Sequence, residues 1–280
     1  MDDPAPDGPD DPFGDQGENQ ANEVKAINLL RGAAHVVQVL TMSNDPIRGI
    51  SLHDRARWVY MEWLHNGTLE DFLERAEARD IPLPNRLMWR ILMCLIRMVI
   101  AMSWPEAHQP DNIRLERPQR GFGSVVIRNR DIQDKNLMFG QFEPSTGGIE
   151  HTLAPIMKMI DFGLVWIEHP TDEDGFRQNV RHMMRGIIDI IADLVKVGRQ
   201  DVNSDRTLDP DLRAIAMGPT KSEYTPPKLE DLFDQVSCAL VDRTAAWYAT
   251  NMNIFNGSEN DDAVRALTRE LILVPSMRQL

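Results

Sequence analysis

The sequence has little cysteine and a deficit of positive charge. Two cysteines among 280 residues cannot form a disulfide framework or a zinc cluster; they indicate a reducing compartment and core thiols. Lys and Arg number 30 against 43 Asp and Glu, so the formal net charge is −13. Nucleic acids and anionic membranes require a basic surface, and neither is an expected partner. The 42% hydrophobic and 26% charged content is typical of an ordinary soluble protein with one large domain or two small ones.

The sequence also lacks a long hydrophobic run without charges. Its N-terminus is acidic and has neither the basic nor the apolar region of a secretory signal, which favours a cytoplasmic or nuclear location. The most apolar stretch, residues 87–104, carries Arg90 and Arg97 on one helical face. A buried amphipathic helix explains this stretch better than a membrane span, because a bilayer tolerates such charges poorly.

The first 22 residues differ in composition from the rest. They hold seven acids, four prolines, three glycines and no Lys or Arg. Such a segment cannot bury enough apolar surface to offset the entropy lost on ordering, so we expect an acidic disordered tail over residues 1–22. Without these seven acids the net charge falls from −13 to −6, so the body of the protein is still not basic.

Hydrophobic periodicity predicts a small mixed layer followed by a mainly helical region. Short apolar runs favour strands over residues 35–40, 58–64, 124–127, 137–139 and 156–160. Helical spacing favours helices over residues 68–78, 86–104 and 176–197, after a first helix that begins near Glu23 and ends at Gly32. His35 is interpreted as a strand-edge residue rather than a chemical group. The order of these elements indicates an α+β fold.

Two polar motifs stand next to predicted strands. They are Asn129-Arg130-Asp131-Ile-Gln-Asp-Lys135-Asn136 and Asp161-Phe162-Gly163. An Asp followed five positions later by an Asn, then by a strand, and later by Asp-Phe-Gly after another strand, resembles the signature set of protein kinases. Each motif alone is weak, but their order, spacing and strand contexts together are specific.

The resemblance to protein kinases implies ATP-dependent phosphoryl transfer to a protein hydroxyl, with Mg²⁺ as the metal. Asp131 is implied as the base, with Arg130 as a further catalytic residue. Asn136 and Asp161 are implied as the Mg²⁺ ligands, because a carboxylate and an amide oxygen suit this ion. Lys135 is implied as a nucleotide-binding neighbour of Asn136.

Further short motifs extend the resemblance to protein kinases over about residues 23–250. The run from Met61 to Leu64 resembles the hinge between kinase lobes, with Met61 as gatekeeper and backbone groups near Glu62 and Leu64 facing adenine. Glu23 stands where the Glu of the kinase C-helix would be. The phrases most similar to a fungal kinase-like family are Leu30-Arg-Gly-Ala33, Asn136-Leu-Met-Phe-Gly140 and Lys158-Met-Ile-Asp-Phe-Gly163.

The sequence also departs from the kinase pattern. The Gly-rich loop and the strand Lys that pairs with the C-helix Glu should precede Glu23, and neither is present. The only Gly-x-Gly, at residues 121–123, is interpreted as a loop that enters the catalytic region. Asn129 replaces the usual His, whose role is mainly structural. Lys135 is similar to tyrosine-kinase loops while Gln133 replaces the serine/threonine-kinase Lys, so the substrate type stays open.

The resulting expectation is an α+β, protein-kinase-like domain over residues 23–275, with an incomplete small β lobe at 23–63 and a mainly helical large lobe at 64–275. Weak or absent activity is expected, because no residue clearly replaces the missing Lys. The alternatives are a catalytically inactive pseudokinase that binds a protein partner, or a fragment of a longer kinase. A protein substrate or protein partner is expected in each case.

Overall fold

A computed structural model describes residues 14–42, 59–108, 112–142, 147–218, 226–252, 254 and 257–273. These residues form a mixed α+β fold that is about half helical and has two antiparallel sheets of two strands each. The predicted α+β class is therefore confirmed. None of the described helices is both long enough and apolar enough to cross a membrane.

Eight helices and four strands follow one another along the described residues. The helices are α1 (Gly14–Leu29), α2 (Leu69–Ala78), α3 (Asn85–Ser103), α4 (Glu173–Leu194), α5 (Pro210–Ala216), α6 (Leu229–Asp242), α7 (Ala245–Asn251) and α8 (Asp261–Leu273). The strands are β1 (Val126–Asn129), β2 (Leu137–Phe139), β3 (Met157–Met159) and β4 (Val165–Glu168). Short 3-10 helices occupy Pro105–Ala107, Asp134–Asn136 and Ile149–Thr152.

The hydrophobic core is built around α3, whose 19 residues are all buried. This helix packs against α4, α6, β1 and β3. The prediction of a buried helix over residues 86–104 is confirmed, although its three arginines, including Arg90 and Arg97, are buried as well. Arg90 donates to the carbonyl of Arg86 at 2.8 Å, and Arg97 forms an ion pair with Glu150. Both charges are therefore held inside the protein by polar partners.

Helix α2 begins where the sequence predicts it, at a capping box. The hydroxyl of Thr68 accepts a hydrogen bond from the backbone N–H of Asp71 at 3.0 Å. The Asp71 carboxylate in turn accepts one from the Thr68 N–H at 3.1 Å. This reciprocal pair satisfies two backbone donors that a helix start otherwise leaves open.

Substitution Thr68→Ala is expected to lower the free energy of unfolding by about 1 kcal/mol, the usual cost of losing an N-cap hydroxyl. Urea unfolding followed by circular dichroism measures this cost. Thr68→Ser keeps the hydroxyl and serves as the control, with an expected change of less than about 0.5 kcal/mol. Equal losses in the two variants would contradict a capping role for the hydroxyl.

Three sequence predictions need correction. Helix α1 begins at Gly14, inside the segment predicted as a disordered tail, because the prolines of that segment end at Pro12. Residues 1–13 lie outside the described part. The strands predicted at 35–40 and 58–64 meet only at the single bridge Val39–Met61, so no regular ladder forms between them. Cys94 is buried as expected, but Cys238 is exposed.

Candidate functional site

The two sheets place both polar motifs at neighbouring chain connections. In the first sheet the end of β1, Asn129, pairs with the start of β4, Val165. In the second sheet the start of β2, Leu137, pairs with the end of β3, Met159. The β1–β2 connection therefore carries the first motif beside the β3–β4 connection, which carries Asp-Phe-Gly. The strand β4 was not predicted, and it is what draws residues 161–164 toward β1.

Asp131 and Asn136 are held together by side-chain hydrogen bonds. The amide nitrogen of Asn136 donates to the Asp131 carboxylate at 2.8 Å and to the Asp131 carbonyl at 2.9 Å. The amide of Gln133 donates to the other carboxylate oxygen of Asp131. Both Asp131 oxygens thus accept N–H groups, which orients the carboxylate. No described residue donates to the amide oxygen of Asn136, so that oxygen stays available to a ligand.

Asn129 joins this pair to Asp161. Its buried side chain accepts from the Asp131 N–H at 2.8 Å and donates to the Asp161 carbonyl at 3.2 Å. The carbonyl of Asn136 also accepts from the Ile160 N–H at 3.1 Å. The exposed Asp161 carboxylate accepts from the Gly163 N–H through Oδ1 at 2.8 Å. Asp131, Asn136 and Asp161 are therefore linked in one hydrogen-bonded group, with Asn129 as its central member.

Glu23 reaches the same group from α1. Its carboxylate lies near the backbone N–H of Phe162 and near Asp161. Burial, and then the negative charge of Asp161, raises the pKa of the Glu23 carboxyl above its usual value. No ion pair joins Glu23 to a Lys or Arg within the described ranges. Two carboxylates thus face each other without a cation from the chain.

Substitution Glu23→Gln is expected to raise the melting temperature of the metal-free chain at neutral pH, since it removes one of the two facing charges. A carboxyl with a raised pKa destabilises the folded state most at high pH, so the gain should shrink as pH falls toward the usual value of 4.5. Thermal unfolding at about pH 8 and about pH 5.5 tests both points. Glu70→Gln, at an exposed position of α2, is the control, and an equal gain there would contradict the expectation.

Arg130 and Lys135, next in sequence to Asp131 and Asn136, are both exposed. Arg130 is exposed, and its guanidinium lies 5.3 Å from the ring centre of Trp166. Arg128 packs on the same ring at 4.7 Å. Lys135 is exposed on the 3-10 helix that ends at Asn136. Trp166 was missed in the sequence because its strand β4 was missed.

The residues of the predicted hinge form no hydrogen bond with Asp131, Asn136 or Asp161 among the described residues. Met61 is 41% exposed, and the N–H of Glu62 donates to the Gln38 carbonyl at 2.9 Å. The Glu62 carboxylate forms an ion pair with Lys158 of β3 and accepts from the Gln38 N–H. The Glu62 carbonyl and the Leu64 N–H form no hydrogen bond with described residues. The side chain of Glu62 thus anchors the segment, while two backbone groups stay available.

A cavity beside the hinge is lined by that segment and by residues within or next to strands β2 and β3. Its walls include Glu62, Trp63, Leu64, Ile156 and Lys158. Neither Asp131 nor Asp161 lines it. The lining of this cavity and the hydrogen-bonded group therefore share no described residue.

The predicted Gly121–Gly123 loop packs against the end of α3. A Cβ atom at Gly123 would lie 2.7 Å from the carbonyl oxygen of Ser103, and the Gly121 carbonyl accepts from the Trp104 indole at 3.2 Å. Close packing accounts for Gly123. The loop lies beside α3 and α4 rather than beside Asp161.

Comparison with protein-family models and with curated proteins finds no match to this chain.

Proposed function

We propose that the chain is a protein-kinase-like domain that binds ATP with Mg²⁺ and transfers phosphate to a protein hydroxyl, with low turnover. The observation that carries the proposal is the hydrogen-bonded group of Asp131, Asn136 and Asp161 beside Glu23. Its oxygen atoms are not paired with a cation from the described chain. Clustered carboxylate and amide oxygens are the donors that Mg²⁺ takes in phosphoryl-transfer sites.

The residues present fit the implied metal. The amide nitrogen of Asn136 donates both of its hydrogen bonds to Asp131, so the amide oxygen is available for coordination. Asp161 has one carboxylate oxygen bonded to Gly163 and a second without a hydrogen bond to described residues. Bound Mg²⁺ would neutralise charge on the phosphates. Asn136 and Asp161 would hold it, and Glu23 would face it from α1.

Asp131 would serve as the proton acceptor. Hydrogen bonds from Gln133 and Asn136 orient its carboxylate. As the hydroxyl oxygen of the substrate bonds to the γ-phosphorus, its proton passes to Asp131 and ADP leaves with the electrons of the broken P–O bond. The free Glu62 carbonyl and Leu64 N–H offer adenine an acceptor and a donor. Catalysis of this kind rests on positioning and charge stabilisation.

Transfer of radiolabelled phosphate from ATP to the chain itself, or to a mixed protein substrate, tests the proposal. The wild-type signal should depend on Mg²⁺ and fall about a hundredfold or more in Asp161→Ala and in Asp131→Asn. Lys196→Ala, at an exposed position after α4 and outside the site, is the control and should retain most of the signal. Equal signals from the wild type and Asp161→Ala would exclude this mechanism.

A second candidate is a non-catalytic module that binds a protein partner. It is favoured by Glu23, which pairs with no Lys among the described residues, and by the hinge cavity, whose lining does not include Asp161. Thermal shift with Mg-ATP separates the two candidates. Stabilisation that is lost in Asp161→Ala supports nucleotide binding, whereas no shift at millimolar ATP supports the module.

A further inference from the structure

A second cluster of chemically reactive side chains lies inside the core, apart from the group around Asp161. His35 follows α1, Cys94 lies in the middle of α3, and His151 lies in the 3-10 helix Ile149–Thr152. The exposed fractions of these residues are 0%, 2% and 2%. One ligand atom from each lies within 4.8 Å of the others. Three segments remote in sequence therefore present two imidazoles and a thiol to one buried point.

The imidazoles of this cluster are left without partners on the side of the cluster. His35 Nδ1 lies 2.6 Å from the Glu116 carboxylate, but its Nε2 is buried and has no hydrogen-bond partner among described residues. Both ring nitrogens of His151 are buried without a hydrogen bond to described residues, and Nε2 lies 3.7 Å from the Glu150 carboxylate. A neutral imidazole carries one donor and one acceptor, and leaving either unsatisfied in the core is costly. A bound ligand would satisfy these buried nitrogens.

Glu116 gives His35 the orientation of a metal ligand. Its carboxylate is fully buried and accepts from the backbone N–H of His35 at 2.7 Å as well as contacting Nδ1. Carboxylates hold metal-bound histidines in this way through the ring nitrogen that does not bind the metal. The tautomer with a proton on Nδ1 leaves the lone pair on Nε2, which is the nitrogen without a partner.

We propose that His35, Cys94 and His151 bind one Zn²⁺ ion in the core. Two imidazoles and a thiolate are donors that zinc prefers, whereas Mg²⁺ and Ca²⁺ prefer oxygen. Zn–N and Zn–S bonds of about 2.0–2.3 Å set tetrahedral ligand atoms roughly 3.3–3.7 Å apart. The present separations reach at most 4.8 Å, so binding would require them to shorten by about 1 Å. Binding releases the thiol proton of Cys94, and the fourth position is open to water.

The bound ion would act as a cross-link. It joins the segment after α1 to α3 and to the 3-10 helix beside Arg97, which places it at the centre of the packing. Because the unfolded chain does not hold these three residues together, metal binding would stabilise the fold directly. The burial of all three ligands fits a structural ion better than a catalytic one.

The test uses the full chain with Cys238→Ser, which removes the exposed thiol and leaves Cys94 as the only cysteine. After treatment with a chelator, addition of Zn²⁺ should restore one equivalent of metal per chain by elemental analysis. The melting temperature should rise by roughly 5 °C at about a hundred times Kd. Mg²⁺ should give no rise, and a further Cys94→Ser change should abolish the rise.

Cobalt titration keeps the proposal testable if the Cys94→Ser variant fails to fold. Co²⁺ added to the folded Cys238→Ser chain should produce a thiolate-to-cobalt charge-transfer band that saturates at one equivalent and disappears when Zn²⁺ is added. No band, or no retained zinc and no thermal shift, would overturn the proposal. Unchanged zinc binding by a folded Cys94→Ser chain would overturn it as well.

Discussion

Asp209→Ala is expected to lower the free energy of unfolding by about 3 kcal/mol or more, since it removes a buried charge partner and a helix cap at once. The fully buried Asp209 caps α5 through the Asp211 N–H at 2.9 Å. Its carboxylate also accepts from the Tyr248 hydroxyl at 2.8 Å and lies 3.3 Å from both the Trp89 indole nitrogen and Arg243 Nε. Burial, followed by the charge of Asp209, raises the pKa of Tyr248, so this phenol remains a donor.

Asp211→Ala is the matched control for Asp209. Asp211 pairs with the same Arg243 at 2.5 Å, but its side chain is 48% exposed. An exposed ion pair contributes about 0–1 kcal/mol, so this variant should unfold close to the wild type. Chemical unfolding of both variants measures the difference. Similar losses of unfolding free energy in the two variants would contradict the expectation that burial makes Asp209 contribute more than Asp211.

Glu150→Ala is expected to cost about 3–5 kcal/mol, because it leaves the charge of Arg97 buried without its carboxylate. Glu150 is 1% exposed and Arg97 projects from the centre of α3. Arg97 retains only the Glu116 carbonyl, at 2.5 Å, and the face of Phe233 at 5.6 Å. Unfolding should be measured with a chelator present, because Glu150 adjoins His151.

Two comparison variants test whether the cost of Glu150→Ala comes from the unpaired buried charge of Arg97. Glu173→Ala breaks an exposed ion pair with Arg177 and should cost less than about 0.5 kcal/mol. The double variant Arg97→Met with Glu150→Leu replaces both charges by apolar groups and should lose far less than the sum of the single changes. A double variant as unstable as that sum would contradict a coupled pair.

Local signals predicted much of the fold. Strand β2 lies at residues 137–139 as predicted, and the helices at 68–78 and 86–104 match α2 and α3 within one residue. These elements have strong periodicity and clear ends, such as the capping residue Thr68 and the stop at Pro105. The grouping of Asp131, Asn136 and Asp161 follows from two motifs that each lie at a strand end.

Long-range contacts explain what the sequence did not reveal. Strand β4 includes the exposed Trp166, and only its pairing with β1 makes it a strand. The sequence does not indicate that Arg97 is paired, because its partner Glu150 lies in a 3-10 helix that is remote in sequence. His35 was interpreted as a strand-edge residue, because nothing nearby in sequence indicates that Cys94 and His151 lie against it. The four prolines of residues 1–22 all lie at or before Pro12. Composition taken over the whole segment therefore missed the start of α1 at Gly14.

Calorimetric titration with Mg-ATP tests the central claim most directly, namely that Asp131, Asn136 and Asp161 form a nucleotide site. The folded wild-type chain is expected to give saturable heat at one site per chain, and Asp161→Asn or omission of Mg²⁺ should abolish it. Asn129→Asp, at the buried centre of the group, should weaken the binding. No saturable heat from the folded chain at millimolar Mg-ATP, or equal binding by Asp161→Asn, would contradict a nucleotide site at these residues.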